Sequence, residues 1–405
     1  QVSGIPEIVL SRMVGRTLPV LSALLPFYVV TLMCGFKKAM EIWPAILVSG
    51  MSFAILQWLC SNYSGPYLPD IVAGGGSILC LTIFLRFWKP RHISRFSHET
   101  GPAGQTKYSY RQLIRAWSPF LVLTCLIIAW GLKSVADRLN AAGLIQFSIT
   151  GIHNRITDSN GDLIPHVFKL NYLSAAGTAI FLSALLAIPL TGLPFRQGSK
   201  ILISTLRQLR LPILTVSAIL GFAYIVNDSG MSITMARALA GTGFLYPFFA
   251  PVLGWLGVFI TGSDTSSNAL FGKLQYATAG AVGVNPVVTV AANSTGGVVG
   301  KMISPQSIAV GAAAVGLVGK ESDLFRFTVK HSFIMLLFIC LFTFAQAYCI
   351  KWIVPVYAVH SDSGTNPAGI SCWYVLAAVA FFSAGLFIAI RTFRKKTGSE
   401  DNTAA

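Results

Sequence analysis

The sequence predicts an all-α integral membrane protein with many crossings, and three observations carry that prediction. Of 405 residues, 54% are hydrophobic and only 11% are charged, a balance far from that of water-soluble domains. Mean hydropathy is +0.67. The apolar residues form unbroken runs of about 20, the length that a helix rising about 1.5 Å per residue needs to cross about 30 Å of hydrocarbon. Barrel strands would alternate instead, so closed helices are the spanning structure that fits.

In chain order the runs are residues 17–36, 43–61, 68–88, 116–132, 171–193, 211–228, 331–350 and 372–390. Cations orient them. Lys89, Arg91, Arg95, Lys107, Arg111 and Arg115 crowd loop 89–115, Arg196, Lys200, Arg207 and Arg210 crowd loop 194–210, and Arg391, Arg394, Lys395 and Lys396 open the tail. These segments are expected in the cytoplasm. Connections 62–67 and 351–371 carry few cations, and 133–170 balances Lys133, Arg138, Arg155 and Lys169 with aspartates, so all three are expected outside. Counting crossings puts residue 230 outside and Lys320–Lys330 inside. The segment between must then cross an odd number of times.

Four portions follow: 1–230 with transmembrane helices and basic loops, 231–319 as an irregular substrate region, 320–390 as closing helices, and 391–405 as a cytoplasmic tail. The first apolar run follows a loop-like QVSGIPE with no initiator Met, so the chain is expected to begin inside a longer polypeptide.

Composition also excludes function classes. A net charge of +16 suits nucleic acid only where cations share a soluble face; here they sit between apolar runs, and no nucleic-acid partner is expected. Seven cysteines (Cys34, Cys60, Cys80, Cys125, Cys340, Cys349 and Cys372) are dispersed without CxxC spacing, which argues for small buried residues and against disulfides or metal. The six histidines read as loop or span-edge residues. No metal site, cofactor, catalytic nucleophile–base pair or other enzymatic centre is expected.

Residues 231–319 are rich in Gly, Ala, Ser and Thr, with polar clusters at 261–268, 293–297 and 300–307. The pattern predicts a half-helix over Tyr246–Gly262, a tip at Ser263–Asn268 near mid-membrane, a returning limb over Ala269–Val282, and a helix from Pro286 to Val318 broken near Asn293–Gly297 or at Ser304–Pro305. Irregular backbone at that depth is tolerated only when buried in protein or lining a wet cavity.

Charges near hydrocarbon are Asp228, Asp264, Arg237, Lys273 and Lys301, each costing about 2.5–3.5 kcal/mol at a helix centre. Arg237 and Lys273 fit interface anchors, and Asp228 a helix boundary. The tips GSDTSSN (262–268) and NSTGG (293–297) are each read as preceding an apolar small-residue helix. Each would then present free N–H groups and a positive dipole end, an anion site. Gly296 and Gly297 would let backbone approach the ligand, and Lys301 would add charge. Ser263, Thr265, Ser266, Ser267, Asn268, Asn293, Ser294 and Thr295, with Ser304 and Gln306 beside them, would bond a small hydroxylated acid. Capping the next half-helix is the plainer role open to Asp264.

Two stretches, LGWLGVFITGSDTSSNALFGKLQ (253–275) and AANSTGGVVGKMISPQSIAVGAAAVGLVGKESDLFRFTVKHS (291–332), closely resemble the signature of the L-lactate permease family. Weaker matches run through RMVGRTLP (12–19), LCLTIFLRFWKP (79–90) and SAAGTAIFLSALL (174–186). The resemblance implies a polytopic helical secondary transporter of inverted-repeat type, importing L-lactate, D-lactate and related 2-hydroxy-monocarboxylates such as glycolate with protons across the bacterial inner membrane. It places substrate binding at Gly262–Asn268, Asn293–Gly297 and Gly300–Gln306; Asp264, charged and partly desolvated in the bilayer, is expected to carry the proton. The family also has an N-terminal region with a motif of the type EGAAGFGAP, which this chain is expected to lack. The alternatives are a truncated, non-transporting remnant, sodium coupling or a passive organic-anion pathway.

Overall fold

A computed structural model describes residues 2–90, 109–157, 163, 166–317 and 319–357. The expected last span, 372–390, and the tail lie outside the described residues, as does most of loop 89–115. The described residues fall into two compact units, one drawn from Gln1–His92 and Val216–Ala405, the other from Ile93–Thr215.

The second unit contains α5 (Tyr110–Gly131), α6 (Lys133–Gly143), strands β1 (Ile145–Ser148) and β2 (Val167–Leu170), α7 (Ala176–Thr191) and the start of α8 (Phe195–Asp228). α5 starts in a capping box, with Ser109 as cap and Gln112 reaching back to it, which satisfies two orphan N–H groups reciprocally. α5 packs on α7, and Arg115 donates to the Thr191 carbonyl at 2.7 Å, closing the C-terminal end of α7. The strands pair antiparallel, Ile145 opposite Leu170 and Ser148 opposite Val167, and lie within the segment expected to face outward.

The first unit opens with α1 (Glu7–Cys34), α2 (Phe36–Glu41), α3 (Trp43–Tyr63) and α4 (Pro69–Phe87). After α8 come α9 (Met231–Ala240), α10 (Tyr246–Thr261), α11 (Asp264–Val282), α12 (Pro286–Gly300), α13 (Pro305–Ala314) and α14 (Glu321–Tyr348). Asp228 ends α8, before a turn in which Gly230 has φ 78°. Six helices among the described residues are long and apolar enough to cross a membrane: α1, α3, α4, α5, α14, and α10 with its leading turn from Gly243. α7 is apolar but has only 16 residues.

α1 begins ten residues before the apolar run that predicts it, which brings Arg12 and Arg16 into the helix. Both guanidiniums reach protein acceptors: Arg12 donates to the Asn62 carbonyl, and Arg16 to Asn62 Oδ1 at 2.9 Å and the Ile353 carbonyl at 2.8 Å. Ile5, Val9 and Met13 pack on Val287, Val288 and Ala291, while Leu21 and Tyr28 join the cluster of Trp255, Val299 and Ile303. α1 and α12 therefore run the same way. α14 runs oppositely, because Gln346 donates to Thr17 and His331 meets Tyr28.

His331 corrects the sequence reading of a span-edge histidine. Its helix starts at Glu321, ten residues earlier, and the ring is buried, hydrogen-bonded to the Tyr28 hydroxyl and packed 4.7 Å from the Phe327 ring. The helix continues through Arg326 and Lys330, where a hydropathy count stops.

Candidate functional site

Four helix ends meet where the polar clusters lie. α10 ends at Thr261, and Gly262 turns the chain with φ 69°, a left-handed conformation that glycine adopts without a Cβ penalty. Ser263 caps α11, its Oγ accepting from the Ser266 N–H at 3.3 Å. The tip is thus two residues, Gly262 and Ser263, rather than Ser263–Asn268; the residues from Asp264 onward already form the first turns of α11. Asp264 stands in the first turn, where a carboxylate complements the positive helix end.

The reading of NSTGG as a second tip is overturned. α12 runs unbroken from Pro286 to Gly300, so the N–H groups of 293–297 are used within the helix. Asn285 caps it, its Oδ1 accepting from Val287 at 2.9 Å, and Pro286 takes the first position, where its missing N–H costs nothing. The small residues serve close packing. A Cβ on Gly254 would meet the Asn293 backbone, one on Gly296 the Pro251 backbone, and one on Gly300 the Trp255 backbone. The break comes at Ser304–Pro305: Ser304 has φ −64° and ψ 134°, the extended geometry that proline imposes on its predecessor. Ser304 then caps α13, its Oγ accepting from the Ser307 N–H at 3.3 Å.

These ends converge through side chains. Lys301, in the 3-10 turn Lys301–Ile303 after α12, donates from Nζ to the Gly262 carbonyl, setting a cation on the negative end of α10. Gln306, in the first turn of α13, lies against Gly262. Asp264 Oδ2 accepts from Asn268 Nδ2 at 3.0 Å, and the same amide donates to Ser294 Oγ at 2.7 Å. Asp264 Oδ1 is buried and has no hydrogen-bond partner. It faces Gly297, where a Cβ would overlap it, and Ser294 and Lys301 both act on the carboxylate.

Of the residues predicted for the site, Ser263, Asp264, Asn268, Ser294, Gly297, Lys301, Ser304 and Gln306 gather at this junction. Thr265 is exposed on the first turn of α11. Ser266, Ser267 and Asn293 are buried between helices; Ser267 donates to the Gly254 carbonyl and accepts from Asn293 Nδ2, each at 3.3 Å. Thr295 bonds back to the Ala292 carbonyl, and Gly296 packs on α10.

Two buried residues extend the polar chain beyond the prediction. Gln275 Nε2 donates to the Ala250 carbonyl at 2.8 Å and to Asn293 Oδ1 at 3.3 Å, and Gln275 Oε1 accepts from the Tyr246 hydroxyl at 2.7 Å. An amide in the middle of the apolar limb 269–282 was the available signal for Gln275. A separate cavity of about 200 Å³ lies at the other end of α11, lined by Asn285, Gln346, Lys351 and Tyr357 among others.

Spanning helices around a junction of broken-helix ends define a polytopic helical transporter fold. The chain belongs to the L-lactate permease family, whose model matches residues 1–350. It is 49% identical over 381 residues to the L-lactate permease of Bacillus subtilis (strain 168), covering 87% of this chain and 68% of that protein. It is 46% identical over 371 residues to glycolate permease GlcA of Escherichia coli (strain K12), covering 86% and 66%. To the L-lactate permease of the same strain it is 45% identical over 370 residues, covering 88% and 67%. The chain thus spans about two thirds of the length of these curated relatives. No solved structure matches it.

Proposed function

We propose that this chain forms the substrate-binding part of a secondary transporter that imports L-lactate and related 2-hydroxy-monocarboxylates, glycolate and D-lactate among them, together with protons. Family membership supports the substrate class, and the names of the relatives cover both lactate and glycolate. The chain acts as a carrier, not an enzyme. Its place is the bacterial inner membrane, with the tail in the cytoplasm.

The observation that carries the coupling is the Asp264 carboxylate, one oxygen buried without a partner, beside Lys301 at a helix start. In the empty site Asp264 supplies the negative charge that the α11 N-terminus and Lys301 attract. A proton on Asp264 releases that attraction to the substrate carboxylate, which binds at the junction near Ser263, Ser294, Lys301 and Gln306. Anion entry against the membrane potential costs about 2.3 kcal/mol per charge per 100 mV, and the proton that travels with it cancels that cost. Lys301 favours proton over sodium coupling, since its ammonium already occupies the helix-terminal carbonyl of the kind that holds Na⁺ in other carriers.

The test is Asp264→Asn in the full-length protein, reconstituted in vesicles with labelled lactate. Accumulation driven by an imposed proton gradient should be lost, while exchange of lactate across the membrane persists. Unchanged proton-driven accumulation would remove Asp264 from the mechanism.

A further inference from the structure

We infer that the buried amide chain from Tyr246 to Asp264 dictates which carboxylate oxygen takes the proton, and that this oxygen is Oδ1. The inference rests on the reading above of Asp264 as proton carrier, and adds Gln275 and Asn293 as positioning residues.

The direction of the chain is fixed at its far end. The Ala250 carbonyl can only accept, so the Gln275 group 2.8 Å from it is the NH₂, and the other terminus of that amide, Oε1, accepts from the Tyr246 hydroxyl at 2.7 Å. An amide has one acceptor side and one donor side, so each link sets the next. Gln275 Nε2 faces Asn293 Oδ1 at 3.3 Å, which turns Asn293 Nδ2 toward Asn268 Oδ1 at 2.8 Å. That in turn aims Asn268 Nδ2 at Asp264 Oδ2, 3.0 Å away. Tyr246, Gln275 and Asn293 are each fully buried, so water does not compete for these links.

The last donor favours Oδ2 as the carbonyl oxygen of the protonated acid, because a C=O accepts the Asn268 N–H better than an acid hydroxyl does. Oδ1 is the oxygen left over: buried, without a partner, and opposite Gly297, which has no side chain to occupy the space beside it. Lys301 is the charged group that acts on this carboxylate among the described residues. The other groups around it are uncharged: Val258 of α10, Asn268 of α11 and Ser294 with Gly297 of α12.

The experiment is acid-minus-neutral infrared difference spectroscopy of the purified full-length protein in lipid, with Asp264→Asn identifying the Asp264 band. With the proton on Oδ1, the C=O is Oδ2 and is hydrogen-bonded, so the wild-type carboxylic band falls at low frequency. Gln275→Met, which fills the same space without a donor, releases Asn293 and shifts the band to higher frequency; Asn268→Leu shifts it at least as far. Thr289→Val, which removes an equally buried hydroxyl bonded to the Gln275 carbonyl outside the amide chain, leaves it in place. A wild-type band at the frequency of a free C=O overturns the inference, and needs no variant beyond Asp264→Asn to fold. So does a band unmoved by Gln275→Met, or moved as far by Thr289→Val. Absence of any acid-dependent band that Asp264→Asn removes would overturn the proton-carrier reading itself, a different failure from the first three.

Discussion

A methyl group added at either of two neighbouring glycines of α12 should have different consequences, because the groups it meets differ. At Gly296 the new Cβ would overlap the Pro251 carbonyl oxygen and lie 2.7 Å from its carbon and 2.8 Å from its Cα. Non-bonded heavy atoms rest at about 3.5–4.0 Å, so α10 must retreat by more than about 1 Å, and backbone has no rotamer by which to escape. Overpacking of this kind costs about 1–3 kcal/mol, with a rigid obstacle placing it toward the top. Alanine returns about 1 kcal/mol through helix propensity, leaving a net loss of about 1–2 kcal/mol, roughly a 5- to 30-fold fall in the folded-to-unfolded ratio. Gly75→Ala in α4 is the control: nothing lies within 4 Å of its Cβ position, so only the propensity gain remains. At Gly297 the new Cβ meets the Asp264 carboxylate and Val258 Cγ2, side-chain atoms that can move. Gly297→Ala should therefore retain more stability than Gly296→Ala yet alter the acid dependence of lactate uptake. Denaturant titration of the purified full-length protein reads the first effect and vesicle uptake against pH the second. Equal stability of Gly296→Ala and Gly75→Ala would refute the backbone-contact argument.

Two further substitutions probe the junction. Lys301→Gln removes the charge but keeps a donor; a hydrogen bond to a charged group is worth about 1.5–3 kcal/mol, so the KM for lactate should rise roughly tenfold or more, and an unchanged KM would leave Lys301 a structural tie to Gly262. Ser332→Ala strips the acceptor from the Trp255 indole N–H (2.8 Å), while the Val299 carbonyl, which Ser332 also reaches, keeps a backbone donor at the end of α12; one buried orphan N–H should cost about 1–3 kcal/mol, seen as an earlier denaturation midpoint with KM unaltered.

Much of the fold was legible because hydrocarbon imposes a length on apolar runs, and α3, α4 and the ends of the α10–α11 hairpin follow it closely. Charged stretches inside helices were not legible. Arg12 and Arg16 in α1, and Lys330 beside His331 in α14, stop a hydropathy count although the helix goes on. At the site, Asp264, Lys301 and the Ser304–Pro305 break could be read from residue chemistry, since each is costly in lipid or incompatible with a continuing helix. The error lay at 293–297. Asn, Ser, Thr and Gly are poor helix formers by propensity, but here that preference is overridden by tertiary packing, which requires small residues where α12 touches the backbone of α10. Close helix packing and a ligand-facing break draw on the same residue types, and only the position of the partner helix distinguishes them. Tyr246 and Gln275 were missed because they bond each other, and Gln275 bonds Ala250 and Asn293, across separations of 18 to 29 residues.

Continuity of α12 also changes the charge balance of the proposed mechanism. Two helices end at the junction, α10 and α12, and two begin there, α11 and α13; at roughly half a charge per end, the dipoles cancel in pairs. Among the described residues, what remains is one ammonium, Lys301, and one carboxylate, Asp264. With Asp264 ionised the site is near neutral, and an arriving lactate would add a second carboxylate beside the first. At an effective dielectric of about 20, two like charges about 4 Å apart repel by about 4 kcal/mol, close to a thousandfold in affinity. With Asp264 protonated the site carries about one positive charge and accepts one anion. In the proposed mechanism, binding of proton and substrate would thereby be linked, each favouring the other by the same free energy.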